Sequence, residues 1–115
     1  MALKIETQVA MTWLVEQFPL AFFQKSHLVK PLKLGIIEDI VDVYERLDAP
    51  PFSKKRLREA INYYTSSRAY LTAQQANAVR VDLYGQQYGT VSAEQAIYAQ
   101  QRFQQRYSAE RSTIK

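Results

Sequence analysis

The sequence predicts a small, mainly α-helical domain that carries one β-hairpin. Only three glycines and four prolines interrupt its 115 residues, which favours long helices over a many-turned sandwich or barrel. Several segments repeat apolar residues at the helical spacing of three and four, whereas one stretch near 79–91 alternates apolar and polar residues around a glycine. The composition, 47 % hydrophobic and 23 % charged, is ordinary for one globular domain. We expect that domain to occupy residues 1–111 and residues 112–115 to fray.

The first predicted helix covers residues 4–17 and ends near Phe18, because Pro19 holds the preceding residue away from helical geometry. Phe18, Phe22 and Phe23 predict a hydrophobic plug after this helix. A second helix is expected over residues 36–47, which show a regular helical spacing of apolar residues. Its apolar stripe contains Ile36, Ile40, Val43 and Leu47.

A third helix is expected over residues 53–64, with Ser53 as its N-cap. The stripe of Leu57, Ala60, Ile61 and Tyr64 should face the core. The run Thr65-Ser66-Ser67 interrupts this helix and is expected to cap a short fourth one that reaches Leu71.

The predicted hairpin of residues 79–91 places Val79, Val81 and Leu83 on one face and polar residues on the other. A lone two-stranded hairpin is marginal, so it must pack on the helices. Ser92 and Gln95 have the spacing of a capping box, which predicts a last helix from about 93 to about 108. Its inner face is marked by Ala96, Ala99, Phe103 and Tyr107.

Composition argues against several classes of protein. The lack of cysteine excludes disulfides, iron–sulfur ligation and thiol catalysis. His27 is the single histidine, and the carboxylates of Glu38, Asp39 and Asp42 have no nucleophile or metal-binding partner nearby in the sequence. We therefore expect no enzyme, no metal, no cofactor and no small-molecule substrate. Charges interrupt every apolar stretch, which predicts no membrane span and no signal peptide, and thus a cytoplasmic protein.

The charge distribution favours a polyanionic partner. The net charge is +4, and residues 53–80 contain six cations and a single acid, whereas residues 30–52 are net acidic. Tyrosines lie among these cations, and exposed rings can stack on unpaired bases, as in RNA. Thr65, Ser66 and Ser67 offer hydroxyls and, if they begin a helix, free backbone N–H groups. Next to Arg58, Tyr70 and Arg80, these donors could hold a terminal phosphate and ribose.

Each of these features also has a purely structural interpretation. Ser66 and Ser67 could simply cap a helix, Tyr64 belongs to an apolar stripe, and Arg80 could lie beside Asp82 on an exposed hairpin face. The basic stretch as a whole could be a solvated helix surface.

Motifs in a fixed order across most of the chain resemble the ProQ/FinO domain family. They are Phe18-Pro19, Phe22, Pro31-Leu32-Lys33-Leu34-Gly35-Ile36, Leu57-Arg58, Tyr64-Thr65-Ser66-Ser67, Tyr70-Leu71, and Arg80-Val81-Asp82-Leu83 with Gly85. The chain is similar to a minimal, single-domain member. The resemblance implies a helical domain with a small hairpin, and an RNA chaperone that binds the stem and 3′ tail of intrinsic-terminator hairpins in small RNAs and mRNA 3′ ends.

The resemblance also implies which residues contact RNA. Lys30, Lys33, Lys54 and Arg58 would approach the phosphate backbone. Tyr70, Arg80 and the Thr65-Ser66-Ser67 turn would hold the 3′ end, with Arg68 nearby. Nothing in the sequence demands a dimer, so we expect a monomer.

Two other classes of function stay open on the sequence alone. A helical protein-interaction adaptor would use the basic stretch only as a nonspecific surface. A DNA-binding regulator would need a recognition helix, and residues 53–64 do not show clear helix-turn-helix spacing.

Overall fold

The structure, a computed structural model, describes the backbone of residues 3–114 and the side chains of residues 3–107. It confirms a mainly helical fold with a small antiparallel hairpin. The elements are α1 (Ile5–Gln17), α2 (Ile36–Tyr44), α3 (Lys54–Thr65), α4 (Arg68–Ala73), β1 (Val79–Val81), β2 (Gln87–Thr90) and α5 (Ala93–Ile114), with a 3₁₀ turn at Ser26–Leu28.

The C-terminal helix is longer than the sequence predicted. α5 continues to Ile114 rather than ending near residue 108, because no glycine or proline follows Gly89. The predicted fraying of residues 112–115 stays a prediction, since Lys115 and the side chains of 112–114 lie outside the described residues.

The core lies between α1, α2, α3, the phenylalanine plug and the hairpin. Leu14 and Leu57 have no exposed surface, and the burial of Leu57 confirms the predicted phase of α3. Phe18 and Phe22 are buried as well, and the edge of Trp13 meets Phe18 with ring centroids 5.6 Å apart. α1 ends at Gln17, where Pro19 predicted it to end.

The plug is joined to α3 by a hydrogen bond as well as by packing. The backbone N–H of Phe23 donates to the Tyr64 hydroxyl at 3.1 Å, and the Tyr64 ring lies 4.8 Å from that of Phe22. Burial raises the pKa of the Tyr64 hydroxyl, because a charged phenolate would lose its hydration.

Serine caps begin three of the helices, as predicted. Ser53 Oγ accepts from the Arg56 N–H at 3.2 Å, and Ser67 Oγ accepts from the Tyr70 N–H at 3.2 Å. Ser92 and Gln95 form both bonds of the capping box, at 3.1 and 2.9 Å.

The second helix is shorter than predicted. α2 ends at Tyr44 instead of residue 47, because Arg46 and Leu47 donate to carbonyls three residues earlier and tighten the last turn. Gly35 precedes the helix with φ +83°, a left-handed conformation that favours glycine.

The hairpin is packed on a third extended segment that the sequence did not reveal. Val79 pairs with Thr90 and Val81 with Gln87, with an irregularity between them. On its other side, β1 runs parallel to the segment around Leu32: the Val81 N–H donates to the Pro31 carbonyl at 3.0 Å, and the Lys33 N–H donates to the Val81 carbonyl at 2.8 Å.

The predicted alternation of the hairpin fails at the first two residues of β1. Val79 is 41 % exposed, whereas Arg80 is only 5 % exposed and Val81 4 %. Arg80 is buried instead of exposed because Gln95 of α5 covers its guanidinium. Val81 and Leu83 are buried and Tyr84 is exposed, as the alternation predicts.

The hairpin tip requires glycine for two reasons. Gly85 has φ +79°, and a Cβ there would lie 2.8 Å from the Leu20 Cβ. The turn is closed by Asp82, whose Oδ1 accepts from the N–H groups of Tyr84 and Gln86, each at 2.9 Å.

Candidate nucleic-acid interface

Leu32 connects two of the residues predicted to hold an RNA 3′ end. Its N–H donates to the Tyr70 hydroxyl at 3.0 Å, and its carbonyl accepts from Arg80 Nη1 at 2.8 Å. The two residues come from α4 and β1, which are brought together because the segment of residues 31–33 pairs with β1. The adjoining Lys33 therefore lies at the same place in the fold.

Arg80 is a buried cation with neutral partners. Besides the Leu32 carbonyl, its guanidinium donates from Nη2 to Gln95 Oε1 at 3.0 Å, while Nε is buried and has no hydrogen-bond partner. Within the described part of the chain, no carboxylate forms an ion pair with it. The interpretation of Arg80 as a solubilising residue on an exposed hairpin face is therefore wrong. A buried guanidinium without a counter-charge produces a local field that favours an anion.

The Thr65-Ser66-Ser67 turn differs from the predicted anion site. Thr65 ends α3, Ser66 follows it, and only Ser67 caps α4. The N–H groups of Ser66 and Ser67 donate to the carbonyls of Asn62 and Tyr64, so they are not free for a phosphate.

The hydroxyls of the turn are also engaged. Thr65 Oγ1 donates to the Ile61 carbonyl at 3.0 Å, and Ser67 Oγ donates to the Tyr64 carbonyl at 2.7 Å. Ser66 is buried, and its Oγ accepts from Arg102 Nη2 at 3.3 Å. These groups hold the turn, and Tyr70 just after it, in place.

Lys33 is held by a carboxylate and an aromatic ring. Its Nζ lies 2.8 Å from Asp39 Oδ2 and 4.5 Å from the centre of the Tyr88 ring. The hydrogen bond to Asp39 raises the pKa of the Lys33 amine, so the amine is charged at neutral pH. The exposed Lys30 lies over the Phe23 ring, with its Nζ 5.8 Å from the ring centre.

The predicted cations of α3 and α4 are more dispersed. Lys54 pairs with Glu45 at 2.5 Å, and the exposed Arg58 lines a shallow groove beside it. Lys54 begins α3 and Thr65 ends it, so they lie about 16 Å apart along the helix axis. The exposed Arg68 stacks over Tyr107, with 4.7 Å between the guanidinium carbon and the ring centre. The structure thus links Tyr70 and Arg80 through the backbone of Leu32, the residue before Lys33, and places Lys54 at the opposite end of α3 from Thr65.

The sequence missed the contribution of α5 to this region. Gln95 was recognised only as a capping residue, yet its Oε1 also accepts from Arg80. Tyr107 donates its hydroxyl to the Ser66 carbonyl at 2.8 Å. No short sequence motif predicts these contacts, because Arg80 and Gln95 lie 15 residues apart in the chain and Ser66 and Tyr107 lie 41 residues apart.

Other kinds of site receive no support from the described residues. Residues 3–107 contain no group of three or more histidine, aspartate or glutamate side chains placed to hold a metal ion. None of the described helices combines the length and apolar character needed to cross a membrane.

Comparison with known proteins agrees with this architecture. The model of the ProQ/FINO family matches residues 5–114. The chain belongs to the ProQ/FinO family. It is 36 % identical over 107 residues to the RNA chaperone ProQ of Haemophilus influenzae, covering 90 % of this chain and 53 % of that protein. It is 42 % identical over 96 residues to the RNA chaperone ProQ of Shewanella oneidensis, covering 83 % and 43 %. This ProQ/FinO domain thus spans about half the length of the curated relatives it matches.

Two solved structures share the fold. The solution structure of a ProQ homolog from Legionella pneumophila is 54 % identical with a TM-score of 0.79, covering 93 % of this chain and 87 % of that one. A FinO-like RNA chaperone from Neisseria meningitidis has a TM-score of 0.68 at 22 % identity, with coverage of 91 % and 87 %, and supports the fold alone.

Proposed function

We propose that this ProQ/FinO domain binds structured RNA and acts as an RNA chaperone in post-transcriptional regulation in the cytoplasm. The proposal rests on membership of the family and on the names of the relatives, which are RNA chaperones. We further propose that its targets are the stem and 3′ tail of intrinsic-terminator hairpins in small RNAs and mRNA 3′ ends. The domain acts as a monomer and without catalysis.

The observation that carries the proposal is the linked arrangement of Tyr70, Leu32 and Arg80. Arg80 supplies a buried positive charge with no carboxylate partner among the described residues, and Tyr70 fixes the segment that carries Lys33. The phosphates next to a terminal ribose match the positive charge and the hydrogen-bond donors of the Arg80 guanidinium. In this proposal the serine-rich turn positions Tyr70 and contributes little direct hydrogen bonding.

The remaining predicted cations fit contacts to the stem. Lys30, Arg58 and Arg68 are exposed, and Lys54 lies beside Arg58 on the first turns of α3. Cations at a surface neutralise phosphates and release counterions, so they contribute affinity without base specificity.

A second candidate function, protein interaction, is favoured by one observation. The outer side of α1 exposes Ile5 (78 %) and Val9 (39 %), and these line a depression with Trp13 and Pro51. An adaptor would dock a partner there and leave RNA binding weak and independent of the 3′ end.

The test is a titration against one terminator-like RNA hairpin in three forms. These carry an intact U-rich 3′ tail, no tail, or a 3′ phosphate in place of the hydroxyl. We expect a large loss of affinity on trimming or blocking, because the contacts proposed between the 3′ end and Tyr70 and Arg80 would be lost. Equal binding of all three forms would contradict 3′-end recognition and favour the adaptor.

A pair of variants distinguishes a specific RNA interface from a nonspecific basic surface. Arg58→Ala should weaken binding to every form, whereas Lys25→Ala removes an exposed cation outside the proposed interface and should change affinity little. An equal loss in both variants would indicate a nonspecific basic surface.

A further inference from the structure

Two of the proposed RNA-contacting lysines are already paired with carboxylates, one in the helix α2 and one just after it. Lys33 Nζ lies 2.8 Å from Asp39 Oδ2, and Lys54 Nζ lies 2.5 Å from Glu45 Oε2. Asp39 is in the first turn of α2 and Glu45 is the residue that follows its end. Residues 36–45 contain four carboxylates and neither lysine nor arginine.

We propose that Asp39 and Glu45 compete with RNA phosphates for Lys33 and Lys54, and thereby limit the affinity of the domain for RNA. A lysine amine is a compact charge, and a carboxylate within ion-pair distance offers it the same kind of partner as a phosphate oxygen. An incoming RNA must therefore displace the carboxylate or accept it as a negative neighbour. This inference rests on the proposed function.

The two ion pairs differ in strength. The side chains of Lys33 and Asp39 are 21 % and 36 % exposed, against 43 % and 54 % for Lys54 and Glu45. Lys33 is also held over the Tyr88 ring, so its amine is restrained from two directions. Partly buried charges are screened less by water and salt than exposed ones. Asp39 is therefore the stronger competitor.

α2 also supplies a matched control. Glu38 is exposed, lies next to Asp39 in the same first turn, and forms no ion pair among the described residues. Asp39→Asn and Glu38→Gln change the net charge equally and remove the same kind of interaction with the helix dipole. Only Asp39→Asn releases a lysine, Lys33, from its ion pair.

The experiment is a binding titration with the tailed terminator hairpin at several salt concentrations. Asp39→Asn should bind roughly three- to five-fold more tightly than the unmodified domain, and Glu45→Gln about two-fold, the range expected for a partly exposed ion pair. Glu38→Gln should change affinity by less than about 1.5-fold, because it alters only screened, longer-range charge.

The salt dependence gives a second readout. The slope of log K against log salt should steepen in Asp39→Asn by up to about 0.9, the value for one additional neutralised phosphate, and stay unchanged in Glu38→Gln. Far-UV circular dichroism and melting temperature establish that each variant is folded.

The outcomes separate the inference from the function it rests on. If the unmodified domain binds the hairpin and Asp39→Asn is no tighter than Glu38→Gln, the competition is refuted while RNA binding stands. If the unmodified domain fails to bind any form of the hairpin, the proposed function and the inference both fail.

Discussion

At the scale of single residues, the decisive feature is that both polar backbone groups of Leu32 are bonded to side chains. Tyr70 accepts from its N–H, and Arg80 donates to its carbonyl. Both side chains are 91 % or more buried. Residues proposed to bind RNA are therefore also part of the folded interior, and their substitution acts on stability as well as on affinity.

Arg80→Ala is the residue-scale prediction. The Leu32 carbonyl and Gln95 Oε1 would each lose a donor, so we expect the free energy of unfolding to fall by about 1–3 kcal/mol. RNA affinity should fall in the fraction that stays folded. Urea denaturation measures the first effect and titration at low temperature the second.

The control for this variant is Arg58→Ala. Arg58 is exposed, so the same truncation should leave the free energy of unfolding within about 0.5 kcal/mol of the parent. If both variants are equally stable, Arg80 does not hold Leu32.

At the scale of elements, the short helix α4 depends on its cap. It has six residues, too few for a helix to be stable alone in water. Ser67 accepts from the Tyr70 N–H and donates to the Tyr64 carbonyl, and so ties the start of α4 to the end of α3. Tyr70 reaches Leu32 only from a helix that is oriented in this way.

Ser67→Ala should lower the free energy of unfolding by about 1 kcal/mol, the usual cost of losing an N-cap. Thermal or urea denaturation tests this. Thr72→Ala is the comparison, because Thr72 is exposed in the same helix and alanine is the better helix former. A Ser67 variant as stable as the Thr72 variant would show that the cap contributes nothing.

At the scale of the whole molecule, Glu59 connects α1 to α3 across a long stretch of sequence. Its Oε1 accepts from the Thr7 hydroxyl at 3.0 Å, 52 residues away, and from Arg56 at 2.8 Å. The Arg56 hydrogen bond, and then that of Thr7, hold the pKa of the Glu59 carboxyl below its ordinary value of 4.5.

The depressed pKa of Glu59 predicts how stability depends on pH. A carboxyl whose pKa is lower in the folded chain than in the unfolded chain contributes its full stabilisation of the fold at pH values above its ordinary pKa. This contribution is lost as the pH falls through the pKa of the folded chain. The stability difference between the parent and Glu59→Gln should therefore shrink as the pH falls from neutral to below the ordinary pKa of a glutamate. Melting temperatures across this range measure it.

Glu16→Gln serves as the reference for this series, since Glu16 is exposed on α1. It removes the same charge from an exposed position. A Glu59 difference that persists unchanged at low pH would contradict the assignment.

Much of the fold could be predicted from the sequence because its signals are local. Pro19 marks the end of α1, Ser53 and Ser67 mark the starts of α3 and α4, and the spacing around Leu57 identifies the buried face of α3. Helix caps and apolar periodicity depend on residues three or four positions apart, so they can be predicted directly from the sequence.

The tertiary structure alone decided the environment of the candidate site. The sequence indicated Arg80 as a site residue but left open whether it is exposed. It is buried because β1 pairs with the segment of residues 31–33 and because α5 covers its side chain. Likewise, the pairing of Lys33 with Asp39 and of Lys54 with Glu45 depends on how α2 packs beside its neighbours. Burial and ion pairing are set by contacts between distant segments, and a local pattern does not encode them.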